Sequence, residues 1–204
     1  MINIKKSGDW AYAARLLAEG PTRLQRAIDR VVLQEAHFLR SKIVEGLREQ
    51  APGGQAFEPL APTTLAIRRF QGFGGSKALL VRGDLRNSIA VVRDGEQVAI
   101  GILRNATNRD GRSLVDIAAA NEFGSRPIVS TLTPRARAFL HAAFRQAGLD
   151  TSRDGSPSTG ISVRQIPPRP FLAPVFARYA QPAAVAKRFT ERLASELRGD
   201  FGAP

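Results

Sequence analysis

A stripe of apolar residues with helical period constrains the fold more than any other feature of the sequence. Between residues 22 and 49, arginine, glutamine and glutamate separate apolar side chains that recur every three or four positions: Leu24, Ala27, Ile28, Val31, Phe38, Leu39, Ile43 and Leu47. This spacing predicts a long amphipathic helix with one face on a core. Pro21 is placed to start it, and the Pro52-Gly53-Gly54 run to end it. A weaker helix is predicted over residues 9–19.

The rest of the chain alternates between strand-like and helix-like patterns. Residues 55–83 indicate a surface loop with a short helix near 62–70, and Asp94-Gly95 between two β-rich runs favours a hairpin. The remaining predicted elements are strands at 88–92, 97–103, 126–132 and 161–166, and helices at 113–123, from Thr133-Pro134 to Gly148, and at 183–198. This order predicts one α+β domain over residues 1–204, with a mostly antiparallel sheet packed with a long N-terminal helix and a C-terminal helix. The polar segment at about 149–160 is predicted to be a mobile loop.

Composition excludes some chemistry and leaves the partner open. The chain has no cysteine, so disulfides, thiol catalysis and cysteine-ligated metals are excluded. Thirty lysines and arginines, mostly arginine, against eighteen acidic residues give a net charge of +12, which suits phosphates or acidic protein surfaces. No secretory leader or long apolar segment is apparent, so we expect a protein made in the cytoplasm that does not span a membrane.

No constellation of residues indicates catalysis. The only histidines, His37 and His141, lie in predicted helices without a second metal-type ligand three or four residues away. The glycine-rich segment QGFGGSK lacks the spacing of a phosphate-binding loop. We therefore predict no catalytic residue, no metal site, no cofactor and no enzyme activity, with an unrecognised hydrolase as the opposing hypothesis.

A basic central stretch supports an alternative role. Its cations, with Phe70 and Phe73 beside them, are Arg68, Arg69, Lys77, Arg82, Arg86, Arg93, Arg104, Arg109 and Arg112. Such residues can contact phosphates, and the aromatic rings can stack on bases. The sequence lacks a recognised nucleic-acid-binding module, so a basic surface facing solvent or a protein partner is favoured. Non-specific nucleic-acid binding stays as the alternative function.

Three segments in fixed order resemble one protein family. They are FEPLAPTTLAIRR running into LLVRGDLRNSI, VAIGILRNATN followed by AAANEFGS, and IPPRPFLAPVF. Together they resemble the virion-morphogenesis family, the tail-completion proteins of Mu-type and related phages. Arg82 stands where that family usually has a small hydroxyl residue, and Asn121-Glu122-Phe123-Gly124 stands where many members carry a glutamine before Phe-Gly. The resemblance covers about residues 55–200.

The resemblance implies a structural virion protein that completes the tail or neck at the head–tail junction. It implies assembly in the host cytoplasm into a closed homo-oligomeric ring, expected to be a hexamer. The partners implied are further copies of the chain, head connector or neck proteins and the tail tube protein. Genomic DNA would contact the lumen transiently. A ring requires two different surfaces on each subunit.

The motifs supply the candidate subunit or partner interface. Its residues are Gly83, Asp84, Leu85, Arg86, Phe123, Gly124, Arg169, Pro170, Phe171 and Leu172. Gly83 permits a sharp change of direction before the first strand, and the prolines at 167, 168 and 170 stiffen the segment that presents Phe171 and Leu172. Two alternatives stay open: the Gly83 turn serves folding alone, and Phe171 is buried in the protein's own core.

Overall fold

A computed structural model describes residues 10–149 and 160–201, and the α+β class is confirmed. Within those ranges the elements are, in chain order, α1 (Trp10–Glu49), a 3-10 turn (Pro52–Gly54), α2 (Pro62–Phe70), α3 (Asp84–Ser88), β1 (Ile89–Asp94), β2 (Gln97–Ile102), α4 (Leu114–Phe123), β3 (Ile128–Thr131), α5 (Pro134–Gln146), β4 (Ile161–Arg164), α6 (Ala173–Tyr179) and α7 (Pro182–Phe201). No helix in these ranges has the length and apolar character that crossing a membrane requires. The loop predicted to be mobile lies almost wholly outside the described residues.

The N-terminal helix is one element of 40 residues, with Pro21 in its interior. The prediction of a separate weaker helix and a start near residue 22 was therefore wrong. Proline removes one backbone donor from the helical ladder, and the helix tolerates that loss here without breaking. Its predicted end is confirmed, because Gln50 follows Glu49 at a φ of 62° and the chain turns into Pro52.

The predicted apolar stripe of α1 lies on the core. Ile43 and Leu47 are fully buried and join a cluster drawn from four other parts of the chain: Leu85 in α3, Ile89 in β1, Ala118 in α4, and Phe171 and Val175 around the start of α6. Side chains of β2 and the half-buried Phe57 pack against this cluster. The core therefore joins the long helix to segments from the middle and the end of the sequence.

The strands form two separate two-stranded antiparallel sheets, where the sequence had predicted one sheet. The β1–β2 sheet is a hairpin; the β3–β4 sheet, whose strands are connected through α5, is referred to as the second hairpin. In the first, Ile89 pairs with Ile102 and Asp94 with Gln97, so the connecting turn is the Gly95-Glu96 pair. In the second, Val129 pairs with Val163. Each sheet has only two strands, so every strand of the described residues has one edge without a neighbour.

An ionic cluster fastens α7 to α1. The buried Glu35 carboxylate accepts hydrogen bonds from both Arg188 and Arg192, the latter at 2.8 Å. Arg188 also lies over the Phe38 ring, 4.6 Å from its centroid. The bond to Glu35 raises the pKa of the Arg188 guanidinium. Because the carboxylate has two cationic partners and a ring beside it, this contact is a fixed part of the fold.

Two short helices were not predicted. The residues after Gly83 form α3 before the first strand begins, and the residues after Leu172 form α6 before α7. Each contains seven residues or fewer, too short to show a helical period in the sequence. The predicted helix near 62–70, the helix at 113–123 and the helix opened by Thr133-Pro134 are confirmed as α2, α4 and α5.

Candidate assembly interface

Two of the three family-like segments meet in space around a buried carboxylate. Glu122, at the end of α4, accepts hydrogen bonds from the backbone N–H groups of Phe171, Leu172 and Ala173 at 2.7, 3.1 and 2.8 Å. These are donors at the start of α6 that would otherwise lack a helical partner. Glu122 therefore caps α6 from a distant part of the chain, a role that its position in the sequence did not reveal.

The backbone around Glu122 strengthens the same junction. The carbonyl of Asn121 accepts from the N–H of Arg169 at 2.6 Å, and the Ser125 N–H donates to the carbonyl of Ile166 at 2.9 Å. Gly124 has a φ of 79°, and a Cβ there would lie 3.2 Å from Pro168 Cδ. A glycine at this position thus permits both the turn and the close approach of the proline-rich segment.

The Gly83–Arg86 segment lies at the edge of the core. Gly83 has a φ of 80° and precedes the first turn of α3, as its predicted role in a sharp turn requires. Asp84 lies 3.6 Å from the guanidinium of Arg109, and Arg86 donates to the side chain of its neighbour Asn87 at 3.0 Å. Leu85 points into the core. The turn therefore has a role in folding, and the place of Gly83, Asp84 and Arg86 in an interface stays a prediction.

Of the ten predicted interface residues, three are buried, one is exposed, and the other six are half-buried. Phe171 is fully buried, Leu85 is buried, and Arg169 is 8% exposed, so within the monomer these three contribute to the fold and cannot form a free surface. Phe171 therefore belongs to the protein's own core, and its prediction as an interface residue is corrected. Phe123, in contrast, is 82% exposed directly before the second hairpin.

The second hairpin presents its apolar face to solvent. Because Val129 pairs with Val163 and side chains alternate along a strand, Val129, Ile161 and Val163 lie on one face together with Thr131. Val129 and Val163 are each 65% exposed and Ile161 is 53% exposed. On the opposite face, the central pair Ser130 and Ser162 is half-buried, and the end pair Ile128 and Arg164 is exposed. For the central pairs, the usual arrangement of apolar residues inside and polar residues outside is therefore inverted.

The sequence predicts these strands but does not assign them to the interface. The alternation in Ile161-Ser162-Val163-Arg164 indicates a strand with one apolar face. That pattern says which residues share a face, yet it does not say whether the protein's own core covers them. The exposed face could be found only once the hairpin had been placed relative to the core.

An open cleft of about 810 Å³ lies between α2, the segment before α3, and α4. Apolar side chains line much of it, namely Phe73, Leu79, Val81, Leu85, Leu114 and Ile117. Arg82 at the cleft donates to Asp110 at 3.0 Å and lies 4.9 Å from the centroid of the Phe73 ring. Arg68 also lines the cleft, and its pKa is lowered by burial and by the nearby charge of Arg169.

Most cations of the basic central stretch have partners within the chain. Arg93 pairs with Asp29 at 2.8 Å, and Lys77 donates to the carbonyl of Arg48 at 2.7 Å. Arg82 and Arg109 pair with carboxylates as described above, and Arg68 and Arg86 donate to oxygens of neighbouring residues. Among the described contacts, only Arg69, Arg104 and Arg112 have no side-chain bond. A continuous track of free cations for a phosphate backbone is not apparent in the described part.

The histidines lie apart from these features. His37 is exposed on α1 and His141 is exposed on α5. No group of three or more histidine, cysteine or acidic side chains that could hold a metal was found among the described residues. Comparison with family models, with curated proteins and with solved structures found no match.

Proposed function

We propose that this protein is a non-enzymatic structural component of a phage particle that completes the tail or neck at the head–tail junction by assembling into a closed ring. The position in the virion, with a head connector or neck protein on one side and the tail tube on the other, rests on the family resemblance of residues 55–200. The tendency to assemble rests on the structure of the second hairpin. These are independent lines of support.

The inverted β3–β4 hairpin is the observation that carries the assembly proposal. A two-stranded sheet with a solvated apolar face is marginal in water. Covering each of Val129, Ile161 and Val163 in a subunit contact would stabilise the assembly by on the order of 1 kcal/mol per side chain. Phe123, at the end of the helix that precedes β3, is a further exposed apolar side chain. A contact with another protein surface explains why these side chains are apolar.

The unpaired strand edges provide a second reason. Each hairpin leaves one edge of each strand without a neighbour, and exposed edges are templates for pairing with another chain. In a ring, one surface of each subunit meets a different surface of the next. An exposed apolar sheet face with unpaired edges suits one half of such a head-to-tail contact.

Substitution of the apolar hairpin face tests the proposal. We expect the wild-type chain to form a discrete oligomer by mass photometry and ring-shaped particles by negative-stain microscopy. Val129→Asp should give folded monomers, because a carboxylate would be buried in the contact without a partner. Leu24→Asp is the matched control: Leu24 is another exposed apolar residue, on α1, and its substitution should leave assembly intact.

Purified tail tubes supply the second part of this test. Wild-type oligomers should cap the ends of the tubes, and Val129→Asp should not. Wild-type protein that stays monomeric at all concentrations and never caps a tube would overturn the proposal. If that monomer instead binds duplex DNA of arbitrary sequence, with an affinity that falls steeply as the salt concentration rises, the alternative of non-specific nucleic-acid binding is supported.

A further inference from the structure

The packed helices α2 and α5 carry several cations and no carboxylate. Phe70 of α2 lies against Phe139 of α5, with ring centroids 5.2 Å apart. The two helices contain neither aspartate nor glutamate, and their cationic or titratable residues are Arg68, Arg69, Arg135, Arg137, His141 and Arg145. The ten residues after Leu149, which are not among those described, contain two aspartates and one arginine, a net charge of −1. That charge is too small to offset five arginines.

The arginines of the two helices are not neutralised by the described chain. The ion pairs found among the described residues all involve other cations. Among the described contacts of the five, only Arg68 has a side-chain hydrogen bond, to the carbonyl of Lys77. The Nε atom of Arg137 is buried without a hydrogen-bond partner in this part of the chain. The positive charge is therefore available to an anion from outside the molecule.

The exposed face of α5 presents two arginines with only small side chains between them. Arg135 and Arg145 are both exposed and ten residues apart, which corresponds to about 15 Å along a helix. Ala138 and Ala142 are exposed between them and continue the same face at intervals of three and four residues. Because alanine is small, a broad anionic partner can reach both guanidinium groups at once.

The neighbouring helix α2 adds a third exposed arginine. Arg135 precedes Phe139 by four residues, so it lies on the side of α5 that contacts Phe70. Arg69 comes directly before Phe70, is exposed, and has no side-chain bond among the described contacts. Exposed cations without an internal partner are therefore present on both helices of the pair.

We propose that the α2–α5 pair binds the phosphate backbone of nucleic acid through Arg69, Arg135 and Arg145. Guanidinium groups form bidentate, charge-assisted hydrogen bonds with phosphate oxygens. Each strand of a duplex carries a phosphate about every 3.4 Å along its axis, so arginines about 15 Å apart reach several of them. Two of the three contacts lie outside the basic central stretch, and the three are separate contact points, which a continuous track is not.

The composition of this surface favours nucleic acid over an acidic protein partner. The buried centre of a protein interface is apolar and poor in charged residues. The exposed positions of α5 from 135 to 146 hold arginine, alanine, histidine and glutamine, and no large apolar side chain. Contacts with phosphates need no apolar anchor and carry no sequence information. The inference goes beyond the proposed ring and does not depend on it, because it uses no residue of the apolar β3–β4 face.

Paired substitution of the α5 arginines tests the site. Arg135→Gln with Arg145→Gln should weaken binding to duplex DNA of arbitrary sequence by at least about tenfold. It should also lower the slope of log affinity against log salt concentration by about 2, because each lost phosphate contact removes about 0.9. Glutamine is a good helix former, so α5 should stay folded. Fluorescence anisotropy over a range of salt concentrations measures affinity and slope.

The matched control is Arg104→Gln with Arg112→Gln, which removes two exposed arginines that also have no side-chain bond among the described contacts. This variant should bind DNA like the wild type. Wild-type protein that does not bind DNA would overturn the site, and so would equal losses in the two double variants. Polyglutamate is the probe for the other class of partner. If the α5 substitutions abolish binding of polyglutamate and leave that of DNA unchanged, the surface contacts an acidic protein and the inference is wrong.

The Val129→Asp chain separates this site from the proposed function. That chain is expected to stay monomeric, and in it the α5 substitutions should still weaken DNA binding more than the control substitutions do. A wild-type chain that never forms rings but shows this difference would overturn the proposed function and support the site. Rings with no difference between the double variants would do the reverse.

Discussion

The β1–β2 hairpin and the β3–β4 hairpin contain the same kinds of residue, yet the first turns its isoleucines toward the core and the second turns its valines to solvent. On the first, Ile89, Ile100 and Ile102 lie on one face and pack on or in the core cluster. On the second, Val129 and Val163 are opposite each other and both are exposed. The difference lies in what covers each face.

The first hairpin is fixed to the long helix by polar contacts at both ends. Arg40 of α1 donates to the carbonyl of Ile89 at 2.6 Å, and Asp29 of α1 pairs with Arg93 near the turn at 2.8 Å. The ladder of the second hairpin is extended at both ends, where the Leu132 N–H donates to the carbonyl of Gly160 and Ser125 bonds to Ile166, and both contacts join the two strands to each other. Contact with α1 covers one face of the first hairpin, whereas the apolar face of the second is left exposed.

The comparison predicts unequal losses of stability for the same substitution in the two hairpins. Ile89→Ala should lower the free energy of unfolding by about 4 kcal/mol, because it deletes a buried side chain and leaves a cavity in the core. Ile161→Ala, its matched control in the second hairpin, should cost under about 1 kcal/mol in the monomer. Urea unfolding of both variants measures the difference, and equal losses would show that the second hairpin is covered within the monomer.

The carboxylate below the second hairpin should contribute nearly as much. Glu122→Ala removes the acceptor of three backbone donors at the start of α6, so we expect a loss of about 3 kcal/mol in the free energy of unfolding. Glu191→Ala, at an exposed position on α7, should change it by less than about 0.5 kcal/mol. An unaffected Glu122→Ala variant would mean that water replaces the carboxylate without cost, and the base of the hairpin would then not depend on it.

Hydrogen exchange should separate the hairpins without any substitution. At concentrations where the chain is monomeric, amides in the β1–β2 ladder should exchange at least roughly 100-fold more slowly than amides in the β3–β4 ladder, because core burial restricts local opening only in the first. Assembly should slow exchange in the second hairpin. Equal protection of the two ladders in the monomer would contradict the contrast in how they are anchored.

The sequence predicted the elements whose apolar residues recur with a clear period. It also predicted the turns whose residues have a strong conformational preference. The α1 stripe, the Asp94-Gly95 hairpin and the helix predicted at 113–123 all depend on interactions within a few residues, and the structure has each of them. The sequence did not predict that Glu122 caps α6 or that Glu35 holds two arginines of α7, because those partners lie about 50 and more than 150 residues away. A local pattern contains no information about such partners.

The candidate interface shows the same limit of local patterns, here for the question of which apolar residues are exposed. Phe171 was predicted from a stiff proline-rich segment to be presented at a surface, and the structure buries it because Glu122 and Asn121 draw that segment onto the core. Val129 and Val163 were read as ordinary strand residues, and no element of the described chain covers them. Which apolar residues remain exposed depends on long-range packing, which spacing alone does not determine.

The ion pair that anchors the first hairpin offers the smallest and most local measurement. The hydrogen bond from Arg93 holds the pKa of Asp29 below its ordinary value. Because the folded-state pKa is depressed, the pair stabilises the fold above about pH 4, and this contribution is lost as the pH falls through the folded-state pKa. Both side chains are partly exposed, so the effect on stability is small.

In Arg93→Gln, an NMR titration of the Asp29 carboxyl carbon should show its pKa rising toward the ordinary value. The control is Arg104→Gln, at an exposed arginine without a bonded partner in the described chain, and it should leave the pKa of Asp29 unchanged. If Asp29 titrates identically in both variants, the turn of the first hairpin is not anchored to α1 by this pair, and the contrast between the hairpins then rests on apolar burial alone.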